Sequence, residues 1–159
     1  MTKASLPEIR RAIINVPSAD LPDLCLRMAR FKKENKELLS YLLFEADDEP
    51  EFIKRIKSEI DEHFNELNKN TPYQAKKGIR KILVFTNQNI RYSGQKRTEV
   101  ELLLYFCLKF KKEAPFRYNL AIKNILIRQL ERIRKSITTL HEDLQYDYLK
   151  QYNQLQLSH

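Results

Sequence analysis

Glycine occurs only at Gly78 and Gly94 in this chain of 159 residues. Turns that need a positive backbone φ, and loops that pass close to a phosphate, usually contain more of this residue. Residues that favour helices, such as Leu, Lys, Glu, Arg and Gln, are abundant instead. The composition therefore predicts an all-α fold, and it excludes Walker and dinucleotide-binding loops, whose motifs need several glycines.

Helix starts in this sequence share a pattern, which is a capping side chain followed by Pro in the first turn. The pattern occurs in Ser5–Glu8, Asp20–Asp23, Asp48–Glu51 and Asn70–Tyr73. Thr98–Glu101 has the capping-box spacing without the proline. We therefore expect helices to start near residues 6, 21, 49, 71 and 99, and a further one near Phe116, after Pro115.

Apolar residues between these starts recur at helical spacing and predict seven to eight helices. Leu24, Cys25, Met28 and Phe31 share one face, but the polar run 32–37 interrupts the pattern. The interruption fits either a loop around Asn35 or the exposed middle of one long helix within 20–47, and we favour a break. Residues 102–110 are apolar almost all round, which indicates a central helix. Cys25 and Cys107 lie in apolar runs, so we expect both to be buried.

A seam of apolar residues near the C-terminal end of the chain has alternating steps of four and three. Its members are Leu126, Leu130, Ile133, Ile137, Leu140 and Leu144. The spacing is that of a short coiled coil. It predicts a long helix over 118–144 that packs on its neighbours or forms a dimer contact.

The predicted architecture is a single domain over 1–159. We expect stacked antiparallel hairpins in the manner of a short HEAT-like superhelix, or alternatively an irregular orthogonal helix bundle. The stretches RFKKENKELLSYLLFEADDE, TEVELLLYFC and LHEDLQYDY resemble a small family of uncharacterised bacterial helical proteins. HEAT and armadillo proteins are similar only in hairpin style. Neither resemblance implies an activity or a site.

Charge divides the chain into segments of opposite sign. Residues 45–66 contain nine acidic residues and only three basic ones, and form the acidic segment. Residues 69–98 contain eight basic residues and no acidic one, and this basic segment alone accounts for a charge equal to the net +8 of the chain. On a helical wheel Lys77, Arg80, Lys81 and Arg91 lie opposite the apolar stripe. Like charges three or four residues apart repel, so something outside this helix should neutralise them.

Two sources of neutralisation are open at this point. The acidic helix immediately precedes the basic one, so carboxylates among residues 59–66 could pair with Lys76, Lys77 or Lys81 across a hairpin. Such pairing would leave the other end of the segment unexplained. Arg91, Tyr92, Lys96 and Arg97 surround a turn just before the helix start expected near 99. Free N–H groups at a helix start favour anions, so we predict an anion or partner site at this turn.

No motif for catalysis, a cofactor or a metal is present. His63 lies near Glu59 and Glu66, yet a charge-paired surface explains it better than a metal site, and His141 fits a helix cap. We expect a non-enzymatic interaction module that binds an acidic protein or self-associates. The alternative function is binding of a nucleic-acid backbone through 76–97. No run of apolar residues is long enough to span a membrane, and we expect a cytoplasmic protein.

Overall fold

The structure, a computed structural model, describes residues 2–157. They form eight α-helices and no strand, which confirms the all-α prediction. The helices are α1 (Leu6–Ile14), α2 (Leu21–Phe31), α3 (Lys33–Phe44), α4 (Glu49–Asn65), α5 (Pro72–Ser93), α6 (Lys96–Glu113), α7 (Leu120–Ile137) and α8 (Glu142–Leu157). The chain divides into two compact units, Met1–Leu43 and Phe44–His159. The single-domain expectation, and the choice between a HEAT-like stack and a bundle, stay predictions.

The first unit contains α1, α2 and most of α3. The predicted break within 20–47 is present, but it lies at Lys32, whose backbone is extended (φ −143°, ψ 147°), and not at Asn35. Asn35 lies in the first turn of α3, and its side-chain amide donates a hydrogen bond of 2.9 Å to the carbonyl of Met28. Tyr41 is the only buried residue among the described part of this unit. Cys25 is exposed, so the prediction that it is buried was wrong.

In the second unit α6 lies at the centre and contacts α4, α5, α7 and α8. Its residues Leu102, Leu103, Phe106, Cys107 and Phe110 are at most 1% exposed, as the apolar run predicted. The buried stripe of α4 is formed by Phe52, Ile56, Ile60 and Phe64, and that of α5 includes Ala75, Ile79, Ile82 and Ile90. The rings of Phe64 and Phe106 lie 5.8 Å apart between centroids. Apolar burial of this extent is the main source of stability in a fold of this size.

Helix caps form at the predicted residue in two of the five predicted starts, and one residue later in a third. The Glu8 carboxylate accepts a hydrogen bond from the Ser5 backbone N–H at 2.7 Å, and Asp48 Oδ1 accepts one from the Glu51 N–H at 3.3 Å. In α5 the cap is Thr71, one residue later than Asn70. Asp20 precedes α2 as expected, but its side chain makes no capping bond.

The fifth predicted start, near residue 99 with Thr98 as its cap, was wrong. Helix α6 begins at Lys96, three residues before that position, and Thr98 is fully buried. The Thr98 hydroxyl donates a hydrogen bond of 2.5 Å to Glu49 Oε1 at the start of α4. The Thr98 hydroxyl therefore binds Glu49, which is distant in the sequence, and does not cap the helix that follows it.

The helix expected near Phe116 starts later than predicted, at Leu120. Phe116 has a φ of 55°, a value that stops a helix, and Asn119 caps α7 by accepting hydrogen bonds from the N–H groups of Ala121 and Ile122. At the other end α7 stops at Ile137, where the Thr138 hydroxyl donates to a backbone carbonyl. The continuous helix predicted over 118–144 is therefore wrong, while a dimer contact along these residues stays a prediction.

The apolar seam of α7 also differs from the predicted one. Its buried positions are Ile122, Ile125, Gln129, Ile133, Ser136 and Ile137. Only Ile133 and Ile137 were in the predicted set, while Leu126, Leu130, Leu140 and Leu144 are half-buried. Because α7 contacts α5 and α6 as well as α8, its buried face is wider than a coiled-coil seam.

Candidate functional site: the basic face of α5

The outer face of α5 presents four cationic side chains. Lys77, Arg80 and Lys81 are exposed and Lys76 is half-buried, which confirms the orientation that the helical wheel predicted. With Tyr73 and Val84 they line a surface depression of about 400 Å³. We call these six residues the basic face.

Two of the six residues that line this depression are uncharged and project into solvent. Tyr73 is 74% exposed and Val84 is 56% exposed. Large apolar side chains are commonly exposed singly, but here two of them stand among cations on one helix. The basic face therefore offers both charge and apolar contact area to a ligand.

Internal pairing does not neutralise the basic face. Among the described residues, none of the four cations Lys76, Lys77, Arg80 and Lys81 forms an ion pair, so pairing with residues 59–66 was wrong. Glu66 and Lys81 line the same neighbouring depression of about 420 Å³, yet they are not paired. The predicted charge compensation across the α4–α5 hairpin is thus absent.

Three carboxylates of the acidic segment form ion pairs, and none of their partners lies on α5. Glu45 Oε2 lies 2.7 Å from Arg55 Nε, and Glu59 also pairs with Arg55. Asp61 lies 3.2 Å from Lys109 Nζ in α6 and accepts a hydrogen bond of 2.6 Å from the Tyr105 hydroxyl. Burial and the bond to Asp61 raise the pKa of Tyr105 to about 12. The packing of α4 against the central helix thus provides the partners of Asp61, whereas Glu45 and Glu59 share Arg55 of α4.

At the turn between α5 and α6, two of the cations predicted to bind an anion have partners within the fold. Gly94 closes α5 in the left-handed conformation (φ 68°), and α6 begins at Lys96. Lys96 Nζ lies 3.2 Å from Glu99 Oε2, and Arg97 Nε donates to the Tyr148 hydroxyl at 3.0 Å. This hydrogen bond from Arg97 to Tyr148 is the main cause that raises the pKa of Arg97.

The bonds of Arg97 continue into a chain of polar groups. The Tyr148 hydroxyl donates to Glu101 Oε1 at 2.9 Å, and Glu101 Oε2 accepts from Lys57 Nζ at 2.8 Å. Burial alone would raise the pKa of Glu101, but the bond and charge of Lys57 lower it overall. This chain lies beside a depression of about 530 Å³ between α4 and α6. The cations Lys57 and Arg97 are therefore used within the fold.

The other two members of the predicted turn site, Arg91 and Tyr92, differ from Lys96 and Arg97. Arg91 is exposed on α5 and forms no ion pair among the described residues. Tyr92 is half-buried and interacts within the protein. Arg91 is thus the only cation of the turn that remains open to a ligand in the described chain.

A buried polar cluster around Glu99 was not predicted. Glu99 is 8% exposed, and its Oε1 accepts hydrogen bonds from Arg132 Nε at 3.0 Å and from Ser136 Oγ at 2.9 Å. Arg132 also donates to Asn87 Oδ1 at 2.5 Å, so the cluster connects α5, α6 and α7. Burial alone would raise the pKa of Glu99, but the bonds from Ser136, Lys96 and Arg132 lower it overall. In the sequence, Glu99 lies within the predicted capping box Thr98–Glu101, and nothing there indicated that it is buried.

The histidines do not assemble a metal site in the described part of the chain, where no group of three His, Cys, Asp or Glu residues could hold an ion. The ring of His63 meets Phe85 edge to face, 4.7 Å between centroids. His141 Nδ1 accepts a hydrogen bond of 3.4 Å from the Asp143 N–H at the start of α8, so it acts as the helix cap that we expected.

Comparisons with known proteins identify no family for this chain. No protein-family model, curated protein or solved structure matches it significantly. The resemblance to uncharacterised bacterial helical proteins stays a prediction. Within residues 2–157, no helix combines the length and the apolar character that a membrane span requires.

Proposed function

We propose that this protein is a non-enzymatic interaction module whose basic face binds an acidic segment of a partner protein. The observation that carries the proposal is that Lys76, Lys77, Arg80 and Lys81 lie together on one helix face and form no ion pair among the described residues. In the same fold, half-buried cations such as Lys57 and Lys109 are paired with carboxylates. Both cysteines are free, which supports the cytoplasm as the proposed location.

The cations of the basic face are close enough to repel one another. Lys77 and Lys81 are four residues apart, as are Lys76 and Arg80. Such like-charge pairs cost about 0.2–0.5 kcal/mol each in a helix. An acidic ligand that lies across the basic face would remove this repulsion. Electrostatic steering would also raise its association rate constant.

The exposed Tyr73 and Val84 favour a protein ligand over a simple anion. Aromatic residues are enriched in protein interfaces, whereas a purely phosphate-binding surface needs no exposed aliphatic side chain. An acidic helix with a few apolar residues could place a large side chain in the depression of about 400 Å³ while its carboxylates face the cations.

The test measures binding of a fluorescent peptide that alternates Glu with Leu and Phe, with a Gln-for-Glu peptide as reference. We expect Lys77→Glu/Lys81→Glu to weaken binding of the acidic peptide at least tenfold. The matched control is Arg128→Glu/Lys135→Glu, because both residues are exposed on α7 and the change in net charge is equal. Equal loss in both variants would refute the proposed site, since it would show a response to net charge alone.

A nucleic-acid backbone is the second candidate ligand. Lys77, Arg80, Lys81 and Arg91 lie unpaired along one helix, whereas Lys96 and Arg97 have partners in the fold. Neutralisation of about four duplex phosphates predicts a slope near −3.6 for log K against log salt. Duplex DNA that binds more tightly than the acidic peptide, with this slope, would favour the second candidate.

A further inference from the structure

We propose that two copies of this chain associate through an antiparallel contact between their α2 helices. The inference is independent of the basic face, since it concerns the first compact unit only. It is a different contact from the one that the sequence suggested along 118–144.

The first unit exposes an unusual amount of apolar surface for its size. Eleven large apolar side chains between residues 6 and 43 are 37–81% exposed, and Tyr41 is the one buried residue in its described part. They are Leu6, Ile9, Ile13, Ile14, Leu24, Leu26, Met28, Phe31, Leu38, Leu42 and Leu43. A stretch of this length rarely has a sufficient core of its own, and association is a common remedy.

The exposed area is of the size that a protein interface uses. At roughly 60–120 Å² per fully exposed side chain, these residues expose roughly 400–700 Å² of apolar surface. A standard interface covers about 800 Å² per partner, of which somewhat more than half is apolar, or about 450 Å². On the same scale, Leu24, Met28 and Phe31 of α2 supply roughly 100–200 Å² of this area, so a stable dimer requires that side chains of α1 and α3 join the α2 contact.

The apolar face of α2 can pair with itself. Leu24, Met28 and Phe31 lie on one side of the helix and are 38%, 58% and 79% exposed. In an antiparallel contact centred near Leu26, Leu24 of one copy opposes Met28 of the other, and Leu21 opposes Phe31. A twofold contact of this kind requires such self-complementary spacing.

Charge around this face is arranged in the same self-complementary way. Asp20 and Asp23 lie at the start of α2, and Arg27 and Arg30 lie in its second half. An antiparallel partner brings its acidic end to the basic end of the first copy. Neither Asp20 nor Arg27 forms an ion pair within the described chain, so both can do so across the contact.

The same charges argue against a lipid surface as the occupant. Residues 20–43 carry five basic and four acidic side chains. Helices that lie on anionic membranes are rich in Lys and Arg on their polar face, whereas this stretch is almost neutral. The balance of both signs favours a second copy.

The first test is sedimentation velocity over a concentration series. We expect a dimer for the wild type and at least a tenfold larger dissociation constant for Leu24→Glu, because the carboxylate enters the contact twice. Ile127→Glu is the matched control, since Ile127 is 40% exposed on α7 and Leu24 is 38% exposed on α2. This control should dimerise like the wild type, as should Lys77→Glu/Lys81→Glu. Circular dichroism verifies that each variant keeps its helices.

A second test exchanges the charges of Asp20 and Arg27. Because it compares three variants, misfolding of one variant cannot decide its outcome. Asp20→Lys and Arg27→Glu should each weaken the dimer, and the double variant should restore it. Cys25 is exposed near the centre of the contact, so a short bismaleimide should join two copies through it, while the buried Cys107 stays unreacted. Cys25→Ser should abolish this cross-link.

Three results would overturn the inference. One is a wild-type monomer at concentrations up to about 100 μM, well above the Kd range of specific dimers. Another is a dimer that Leu24→Glu leaves intact, particularly if Ile127→Glu dissociates it. The third is a monomer in buffer that co-sediments with phosphatidylserine vesicles, because the α2 face would then bind lipid instead.

Discussion

Replacement of Glu99 with alanine should destabilise the second compact unit by about 3 kcal/mol. Glu99 is 8% exposed and accepts two hydrogen bonds from α7, one from Arg132 and one from Ser136. The alanine variant leaves the Ser136 hydroxyl buried without this acceptor and removes the carboxylate that faces Arg132. Both changes remove interactions between α6 and α7.

The magnitude follows from the exposure of the two partners. Loss of one member of a buried ion pair costs about 3–5 kcal/mol, and a hydrogen bond to a charged group contributes about 1.5–3 kcal/mol. The Arg132 side chain is 37% exposed, so water can hydrate part of the guanidinium after the change, and the lower end of the range applies. For a chain of this size, about 3 kcal/mol corresponds to a fall in Tm of about 6–12 °C.

The assay is equilibrium unfolding in urea with Glu99→Ala, Arg132→Ala and the double variant. We expect a coupling free energy of about 1.5–3 kcal/mol between the two positions. Glu131→Ala is the control, since this exposed charge on α7 should change the free energy of unfolding by less than about 0.5 kcal/mol. A loss below about 1 kcal/mol for Glu99→Ala, or additive effects in the double variant, would refute the structural role of the carboxylate.

Three further predictions concern ionisation, backbone geometry and thiol access. The folded-state pKa values of Glu99 and Glu101 are below the ordinary 4.5, so both acids stabilise the fold above that pH and lose this contribution as the pH falls through their folded pKa values. Glu99→Gln and Glu101→Gln should each lose less stability than the wild type between about pH 5 and pH 3 in urea titrations, and unchanged acid sensitivity would contradict this. Gly94→Ala should cost about 1 kcal/mol in urea unfolding because its φ of 68° disfavours a side chain, and a neutral effect would show that the turn relaxes. Cys25 should react quickly with a thiol reagent, whereas Cys107, whose pKa burial raises to about 12, should react only on unfolding; two fast thiols would contradict its buried position.

Local signals in the sequence predicted the helices well. Caps and prolines act within four residues, so the starts of α1, α2, α4 and α5 lie at or within one residue of their predicted positions. The run at 102–110 predicted the central helix because a helix that is apolar all round can be stable only when neighbours surround it.

The errors occur where a distant residue competes with a local one. The Thr98 hydroxyl binds Glu49 instead of capping a helix, so α6 starts at Lys96 and not near 99. Arg97 donates a hydrogen bond to Tyr148 of α8, although we expected it to be free for an anion at the turn. No spacing within the sequence indicated either contact.

For the candidate site, the sequence predicted the orientation of the cations but not whether they are paired. The helical wheel placed Lys77, Arg80 and Lys81 on the outer face of α5, which depends only on helical periodicity. Whether the acidic segment neutralises them depends on which helix each carboxylate of α4 meets, and Asp61 meets Lys109 of α6. The proximity of two opposite segments in sequence was therefore a poor guide to their pairing.

The sequence by itself determined that the chain is helical, where most helices begin, and which side of α5 carries its charge. These properties follow from capping, proline geometry and the 3.6-residue period, all of which act within a turn or two of helix. Only the tertiary structure decided which charges are paired, that Glu99 is buried, and that the apolar face of α2 stays exposed. Those outcomes depend on which helices pack together, and packing joins residues tens of positions apart that no local pattern connects.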